Sequence, residues 1–140
     1  MRKIDRILLV DDDKIANHHN SNLIAKHNFA NETIIKTNGK DALDYLKTCK
    51  IFNLYPNLIL LDLSMPVMDG FEFLKIFQKM FSAVKQDIFI VILTTSRNGD
   101  DIIKLKETGH LHLVNKPLTI DTLMDINHKY FRKGPFEKIN

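Results

Sequence analysis

The sequence has few of the features that mark secreted or membrane proteins. Its one cysteine, Cys49, excludes an internal disulfide and fits a reducing compartment. Residues 1–6 are charged and lack the apolar stretch of a signal peptide. The conspicuous apolar run at residues 88–93 is far shorter than the roughly 18 residues that a membrane span requires. We therefore expect a cytoplasmic protein that does not associate with membranes.

The chain also lacks any concentrated block of charge. Its 20 lysines and arginines exceed the 17 acidic residues, which gives a formal net charge of +3, but the basic residues are scattered along the chain. Scattered basic residues are typical of a solvated surface, so we expect no nucleic-acid partner. No repeat, low-complexity tract or internal linker interrupts the 140 residues, which is the length of one ordinary domain.

Short apolar runs alternate with helical patterns along the chain. This alternation predicts strands over residues 7–10, 32–37, 58–61, 88–93 and 110–114, and helices over 14–27, 40–50, 70–81, 101–108 and 120–131. Such a succession indicates βαβ units, and hence an α/β fold with a parallel sheet covered by helices on both faces. Right-handed crossovers would leave a crevice beyond the carboxyl ends of the strands.

Polar residues follow four of the five predicted strands at that edge. Asp11 and Asp12 come after the first strand, Asp62 after the third, Thr94 after the fourth and Lys116 after the fifth. Each residue alone is explained equally well as part of a turn, a helix cap or the solvated surface. Their recurrence at successive strand ends instead predicts a functional site.

The chemistry of this set favours a phosphoryl site. Carboxylate oxygens suit a hard cation such as Mg²⁺, which takes a few carboxylates together with water and phosphate oxygens. An ammonium and a hydroxyl can bind the phosphoryl oxygens that the metal does not reach. A carboxylate at the centre can itself accept the phosphoryl group as an acyl phosphate. Asp62, which follows a short strand of four apolar residues, is the candidate for that reacting group.

Four motifs carry a resemblance to a known family. They are Val10-Asp11-Asp12, the run from Asp62 through Ser64-Met65-Pro66 to Asp69-Gly70, Thr94-Thr95, and Lys116-Pro117. In this order and spacing the chain resembles the receiver domain of two-component response regulators. The resemblance implies a flavodoxin-like (βα)5 fold with strand order 2-1-3-4-5. It also implies a receiver domain over residues 1–131, followed by a polar tail at 132–140.

The resemblance implies a role for each carboxylate. Asp62 lies where the family accepts a phosphoryl group from a histidine of a sensor kinase or a phosphotransfer protein. Asp12 would ligate Mg²⁺ directly and Asp11 mostly through water, with Asp62 and the backbone carbonyl of Ser64 as further ligands. The protein would then be a signalling phosphoprotein that catalyses at most its own phosphorylation and dephosphorylation.

The resemblance also implies how the signal leaves the site. Thr94 and Lys116 would contact the phosphoryl oxygens, and the Lys116–Pro117 bond would be cis. Phosphorylation would alter the face formed by helix 4, strand 5 and helix 5, which would bind a downstream protein. One residue departs from the pattern, because Leu113 stands where most receivers carry an aromatic residue. We therefore expect output to depend more on the loop at residues 94–99 and the helix after it.

Three functions remain open on the sequence alone. The first is a stand-alone phosphoacceptor that binds a partner or passes phosphate along a relay, since the short stretch after Phe131 leaves no room for an output domain. The second is a Mg²⁺-dependent phosphohydrolase, although Ser64 stands where such enzymes carry a second aspartate. The third is an interaction module that is never phosphorylated. The paired histidines His18 and His19 do not predict a metal site, because adjacent side chains diverge by about 100° on a helix.

Overall fold

The computed structural model describes residues 3–85, 87–95, 99–109 and 112–131. Within these ranges five parallel strands form one sheet in the order β2-β1-β3-β4-β5, as the sequence predicts. The strands are β1 (Ile4–Val10), β2 (Ala30–Lys36), β3 (Leu58–Asp62), β4 (Phe89–Thr94) and β5 (Leu113–Asn115). The helices are α1 (Lys14–Lys26), α2 (Gly39–Phe52), α3 (Gly70–Met80), α4 (Gly99–Thr108) and α5 (Ile120–Ile126), and a π-helix (Asn127–Phe131) continues α5.

Helices cover both faces of the sheet and bury a separate apolar core on each. On one face α2 and α3 pack against alternate strand residues, and the largest buried side chains there are Phe73, Phe77 and Phe81. On the other face α1 and α5 pack against the remaining strand residues, with Ile24, Leu123 and Ile126 among the buried contacts. All five residues of β3 are buried, so the strand that ends in Asp62 is the centre of the sheet.

Polar caps set the start of four helices. The Asp13 side chain accepts hydrogen bonds from the backbone N–H groups of Ile15 and Ala16 and begins α1. The Thr119 side chain accepts a hydrogen bond from the backbone N–H of Thr122 and begins α5. Asn38 and Asp69 cap α2 and α3 in the same way. Each cap satisfies a backbone donor that has no partner within its helix, and therefore fixes where the loop from the preceding strand ends.

The starts of three strands differ from the prediction. The interior strand β1 begins at Ile4 instead of residue 7. The edge strand β2 begins at Ala30 instead of residue 32, because Ala30 pairs with Ile4, the first residue of β1. The other edge strand, β5, begins at Leu113 and pairs only from that residue onward, and His112 precedes it. The predicted strand residues 110 and 111 lie outside the described residues, as does the predicted tail at 132–140.

The last helix also differs from the expected single α-helix. Its final residues, Asn127–Phe131, are a π-helix, whose i→i+5 hydrogen bonds widen the turn and rotate the side chains relative to an α-helix. Ile126 and Asn127 are buried, whereas Met124 is half-exposed. Among the described residues, none of the helices is long and apolar enough to cross a membrane.

Candidate functional site

The residues that follow the strands meet at one edge of the sheet. Asp11 follows β1, while Asp62 and Thr94 are the last residues of β3 and β4, and all three are buried. Asp12 is exposed and Lys116 is partly buried. Because all the strands are parallel, their carboxyl ends share this edge, and the sheet order places β1 and β4 on either side of β3. The five residues predicted from strand ends are therefore brought together.

Three carboxylates form the acidic part of the site. One oxygen from each of Asp11, Asp12 and Asp62 can be chosen so that all three lie within 4.8 Å of one another. This separation allows one cation to contact all three groups, and an all-oxygen donor set suits a hard cation such as Mg²⁺. The donor set therefore fits the predicted metal. Ser64 lies in the exposed loop after β3, and the predicted ligand role of its carbonyl stays a prediction.

The Lys116 ammonium links two of these carboxylates. Its Nζ lies 2.8 Å from Oδ2 of Asp11 and 3.4 Å from Oδ1 of Asp62. Burial alone would lower the pKa of Lys116, but its hydrogen bond to Asp11 and the charges of Asp11 and Asp62 together raise it. The lysine is therefore a permanent cation at neutral pH. It offsets part of the repulsion between the two buried acids.

The charged form of Asp62 remains costly despite the lysine. Burial, followed by repulsion from Asp11, raises the pKa of Asp62 from 3.8 to about 6, against the opposing charge of Lys116 and a backbone hydrogen bond from Ser64. A shift of this kind is typical of a functional carboxylate held near its point of titration. At pH 7 the group is still ionised in most molecules, so it is available as a nucleophile.

The backbone around Asp11 is held by its own neighbours. The Asp13 N–H donates to Oδ1 of Asp11 at 2.9 Å, which leaves Oδ2 for Lys116. One turn into α1, the buried Asn17 donates from Nδ2 to the backbone carbonyl of Asp11 at 2.8 Å. These contacts fix both the carboxylate and the strand end that carries it. Sequence reasoning missed Asn17, because the mixed sequence of α1 does not indicate which side of the helix faces the sheet.

A close backbone approach shapes the loop after Asp62. The N–H of Gly70 donates to the carbonyl of Leu63 at 2.9 Å. A Cβ at Gly70 would lie 2.7 Å from the backbone oxygen of Asp62 and 2.8 Å from Cα of Leu63. Only glycine therefore allows α3 to begin against the end of β3 without a shift. In the same loop Val67 has φ 69°, a conformation that β-branched residues rarely adopt.

Thr94 and Lys116 are joined through the backbone. The N–H of Lys116 donates to the carbonyl of Thr94 at 3.1 Å, so the ends of β4 and β5 are held in register at the site. The Lys116–Pro117 peptide bond is cis, as the resemblance implied. The predicted contacts of Thr94 and Lys116 with a phosphoryl group stay predictions.

A family profile described as the response regulator receiver domain matches residues 7–127. The chain belongs to this family. Receiver domains act with histidine kinases or phosphotransfer proteins in two-component signalling, so this chain is a signalling domain. The predicted resemblance is confirmed.

Characterised relatives cover most of the receiver domain. Sporulation initiation phosphotransferase F of Bacillus subtilis is 32% identical over 126 residues, which span 90% of this chain and 93% of that protein. Response regulator Rcp1 of Synechocystis sp. is 36% identical over 104 residues, which span 69% of this chain and 66% of that protein.

Solved structures agree with the fold. A two-component response regulator from Cytophaga hutchinsonii superposes with a TM-score of 0.85 at 29% identity and covers 94% of this chain and 100% of that one. The Mn²⁺-bound form of response regulator Rcp1 superposes with a TM-score of 0.72 at 30% identity and covers 93% and 96% of the two chains. The sheet order and helix placement of this receiver are therefore those of solved response regulators.

Leu113 does not occupy an inward position in this receiver. Its side chain is 38% exposed on the edge strand β5. It borders a surface groove of about 340 Å³ between β5 and α5, together with His112 and Tyr130. The hydroxyl of Tyr130 lies 2.9 Å from Nδ1 of His112 and forms a hydrogen bond with it. The Tyr130 ring also stacks on Phe89. The aromatic rings of His112 and Tyr130 therefore line the same groove as Leu113, while position 113 itself carries no ring.

Proposed function

We propose that Asp62 accepts a phosphoryl group from a phosphohistidine of a sensor kinase or phosphotransfer protein, in a Mg²⁺-dependent step. The observation that carries the proposal is the group of three carboxylates within 4.8 Å beside a paired lysine. Asp62 ends the central strand of the sheet, and its pKa is raised by burial and by repulsion from Asp11.

The chemistry that this arrangement supports is an in-line transfer. An oxygen of the ionised Asp62 forms a P–O bond as the P–N bond to the donor imidazole breaks, and the ring nitrogen keeps the electron pair. Lys116 neutralises phosphoryl charge while Asp11 keeps the ammonium oriented. The hydroxyl of Thr94, the last residue of the adjacent strand β4, would hydrogen-bond a phosphoryl oxygen.

Asp11, Asp12 and Asp62, with the carbonyl of Ser64, would hold the Mg²⁺ ion. When bound, the ion supplies positive charge that offsets the charge of the transferring phosphoryl group. The Mn²⁺-bound form of Rcp1 supports a divalent cation for this chain as well. The chain itself largely excludes water from two of the carboxylates, because Asp11 and Asp62 are only 4% and 8% exposed.

The proposed output is the binding of a downstream protein by the face of α4, β5 and α5, or transfer of the phosphoryl group along a relay. The groove beside Leu113 lies on this face and supports its use in binding. A cytoplasmic location and a receiver spanning residues 1–131, followed by the polar segment 132–140, are part of the proposal. The family match over residues 7–127 supports these bounds.

The proposal is tested by incubation with acetyl phosphate and Mg²⁺, followed by intact mass measurement. We expect one transient adduct of about 80 Da, which is lost in Asp62→Asn. Asp121→Asn is the matched control, because Asp121 is an exposed residue in the first turn of α5, and it should form the adduct.

Three results would contradict the proposal. Absence of an adduct in wild-type protein, with donor and Mg²⁺ in excess, would favour an interaction module that is never phosphorylated. Rapid hydrolysis of many phosphate esters without a persistent adduct would favour a phosphohydrolase instead. An adduct that persists in Asp62→Asn would assign acceptance to another residue.

A further inference from the structure

The loop after β5 presents Lys116 to the acidic group, and several contacts hold it. On the side of the sheet, the Lys116 N–H donates to the carbonyl of Thr94. Two residues later the side chain of Leu118 is 1% exposed within the core under α1 and α5. Thr119 then caps α5. The segment between Lys116 and Thr119 is therefore short and anchored at both ends.

A side chain from α1 adds a contact to the middle of this segment. Nε2 of His19 lies 3.0 Å from the backbone oxygen of Leu118, 99 positions away in sequence. A carbonyl oxygen only accepts hydrogen bonds, so Nε2 carries the proton and donates. The contact joins the helix that follows Asp11 and Asp12 to the loop that carries the lysine.

The same helix also holds the other partner of the ion pair. Asn17 donates to the carbonyl of Asp11, and His19 donates to the carbonyl of Leu118. Residues two positions apart point to different sides of a helix, so α1 reaches β1 with one side chain and the β5–α5 loop with the other. Side chains of α1 therefore hold the backbone next to each partner of the 2.8 Å contact between Lys116 and Asp11.

We propose that His19 is a positioning residue that holds the Lys116 loop so that the ammonium lies between Asp11 and Asp62. Its effect on phosphoryl binding rests on the proposed function, whereas its effect on the loop does not. His19 touches neither carboxylate and acts only through the Leu118 carbonyl. Loss of the contact should weaken the binding of a phosphoryl group, to which Lys116 contributes. It should leave Mg²⁺ binding unchanged or slightly tighter, because the ammonium repels the cation.

Three substitutions at His19 separate the hydrogen bond from packing. His19→Gln places an amide nitrogen near the position of Nε2 and keeps the donor. His19→Asn places its nitrogen near Nδ1, too short to reach Leu118. His19→Leu removes the donor but has a higher helix propensity than histidine, so α1 should not be weakened. His18→Leu is the matched control, because His18 is exposed on the same helix and its ring contacts the side chain of Asn22 instead of the Lys116 loop.

The measurements use the full chain. NMR follows the binding of Mg²⁺, the binding of beryllium fluoride and the hydrogen exchange of the Lys116 amide. Mg²⁺ alone is titrated first, and beryllium fluoride, an acyl phosphate mimic, is then titrated at saturating Mg²⁺. We expect His19→Leu and His19→Asn to weaken beryllium fluoride binding about three- to tenfold, the range for loss of one hydrogen bond. The exchange of the Lys116 amide should quicken by a similar factor in both. His19→Gln and His18→Leu should behave as wild type.

Two outcomes would overturn the inference. One is that His19→Leu binds beryllium fluoride as tightly as the wild-type protein and that its Lys116 amide exchanges at the wild-type rate. The other is an equal loss of Mg²⁺ binding and of beryllium fluoride binding in all three variants, including His19→Gln. This result would indicate general damage to α1. If the wild-type protein binds Mg²⁺ but no beryllium fluoride, the proposed function fails. The Lys116 amide exchange in the four variants then decides the role of His19 by itself.

Discussion

The single residue Asp62 combines a central position with an unfavourable charge. Its pKa is raised from 3.8 to about 6 by burial and by repulsion from Asp11, so the folded chain binds this proton more tightly than the unfolded chain does. Where the folded state binds more protons, the free energy of unfolding falls as the pH rises. Asp62 therefore costs stability increasingly from about pH 4 to pH 6, and the full cost is present above pH 6.

This sign gives a prediction for Asp62→Asn in the presence of a chelator. The variant removes the buried charge and should raise the free energy of unfolding at pH 7.5 by about 2 kcal/mol. The gain should shrink below pH 6 and vanish near pH 4, where the wild-type carboxyl is protonated in both states. Urea unfolding across this pH range measures it, with Asp121→Asn as the control. A variant less stable than wild type at pH 7.5 would show that Lys116 outweighs burial.

At the scale of single residues, the sequence predicted which side chains are brought together but not how they are held. Asp11, Asp62 and Lys116 could be identified because each follows an apolar run, a local pattern. The contact between His19 and Leu118 joins positions 99 apart, and no local pattern encodes it. The support from Asn17 depends on which side of α1 faces the sheet, and the mixed sequence of α1 leaves that side ambiguous.

At the scale of elements, the junction of β3 and α3 determines the direction in which Asp62 is presented. Gly70 begins α3 with its backbone packed against the last residue of β3 and against Leu63. The two nearest atoms that a Cβ would meet belong to the backbone, which cannot move aside as a flexible side chain can. The helix and the strand end are therefore positioned together.

Gly70→Ala should lower the free energy of unfolding by about 2 kcal/mol, because the added methyl group overlaps backbone atoms. Gly99→Ala is the matched control, since Gly99 also begins a helix but has nothing within 4 Å of an added Cβ. The control should be neutral or gain about 0.5 kcal/mol from reduced backbone freedom in the unfolded chain. Urea unfolding of both variants provides the comparison. Equal effects at the two positions would remove the argument for a tight β3–α3 junction.

The elements also show where sequence patterns were sufficient. Strands β3 and β4 were predicted within one residue at each end, because both are interior and form nearly continuous apolar runs. The starts of β1, β2 and β5 were missed by two or three residues, because polar or exposed residues lie at these ends and the pairing there depends on the neighbouring strand. In the π-helix after α5, Tyr130 and Phe131 pack against Phe89, and the spacing of apolar residues encodes neither this contact nor the change of helix type.

For the whole molecule, the site links cation binding to global stability. The sheet brings carboxylates from β1 and β3 together only when the chain is folded, so an ion that they share binds the folded state alone. Ligands that bind only the folded state raise the free energy of unfolding in proportion to the logarithm of their concentration above Kd. The repulsion between Asp11 and Asp62, which destabilises the metal-free fold, should be relieved by the same ion.

Mg²⁺ should therefore stabilise the wild-type receiver at pH 7.5 by about 2.7 kcal/mol when its concentration is 100 times Kd. The gain should be smaller at pH 5, where Asp62 is mostly protonated and a proton competes with the ion. Asp12→Asn should lose most of the effect, whereas Asp121→Asn should retain it. Thermal unfolding with Mg²⁺, and with NaCl at equal ionic strength, measures the difference. Equal stabilisation of Asp12→Asn and wild type would mean that Mg²⁺ acts on surface charge, and the shared site would then have no thermodynamic support.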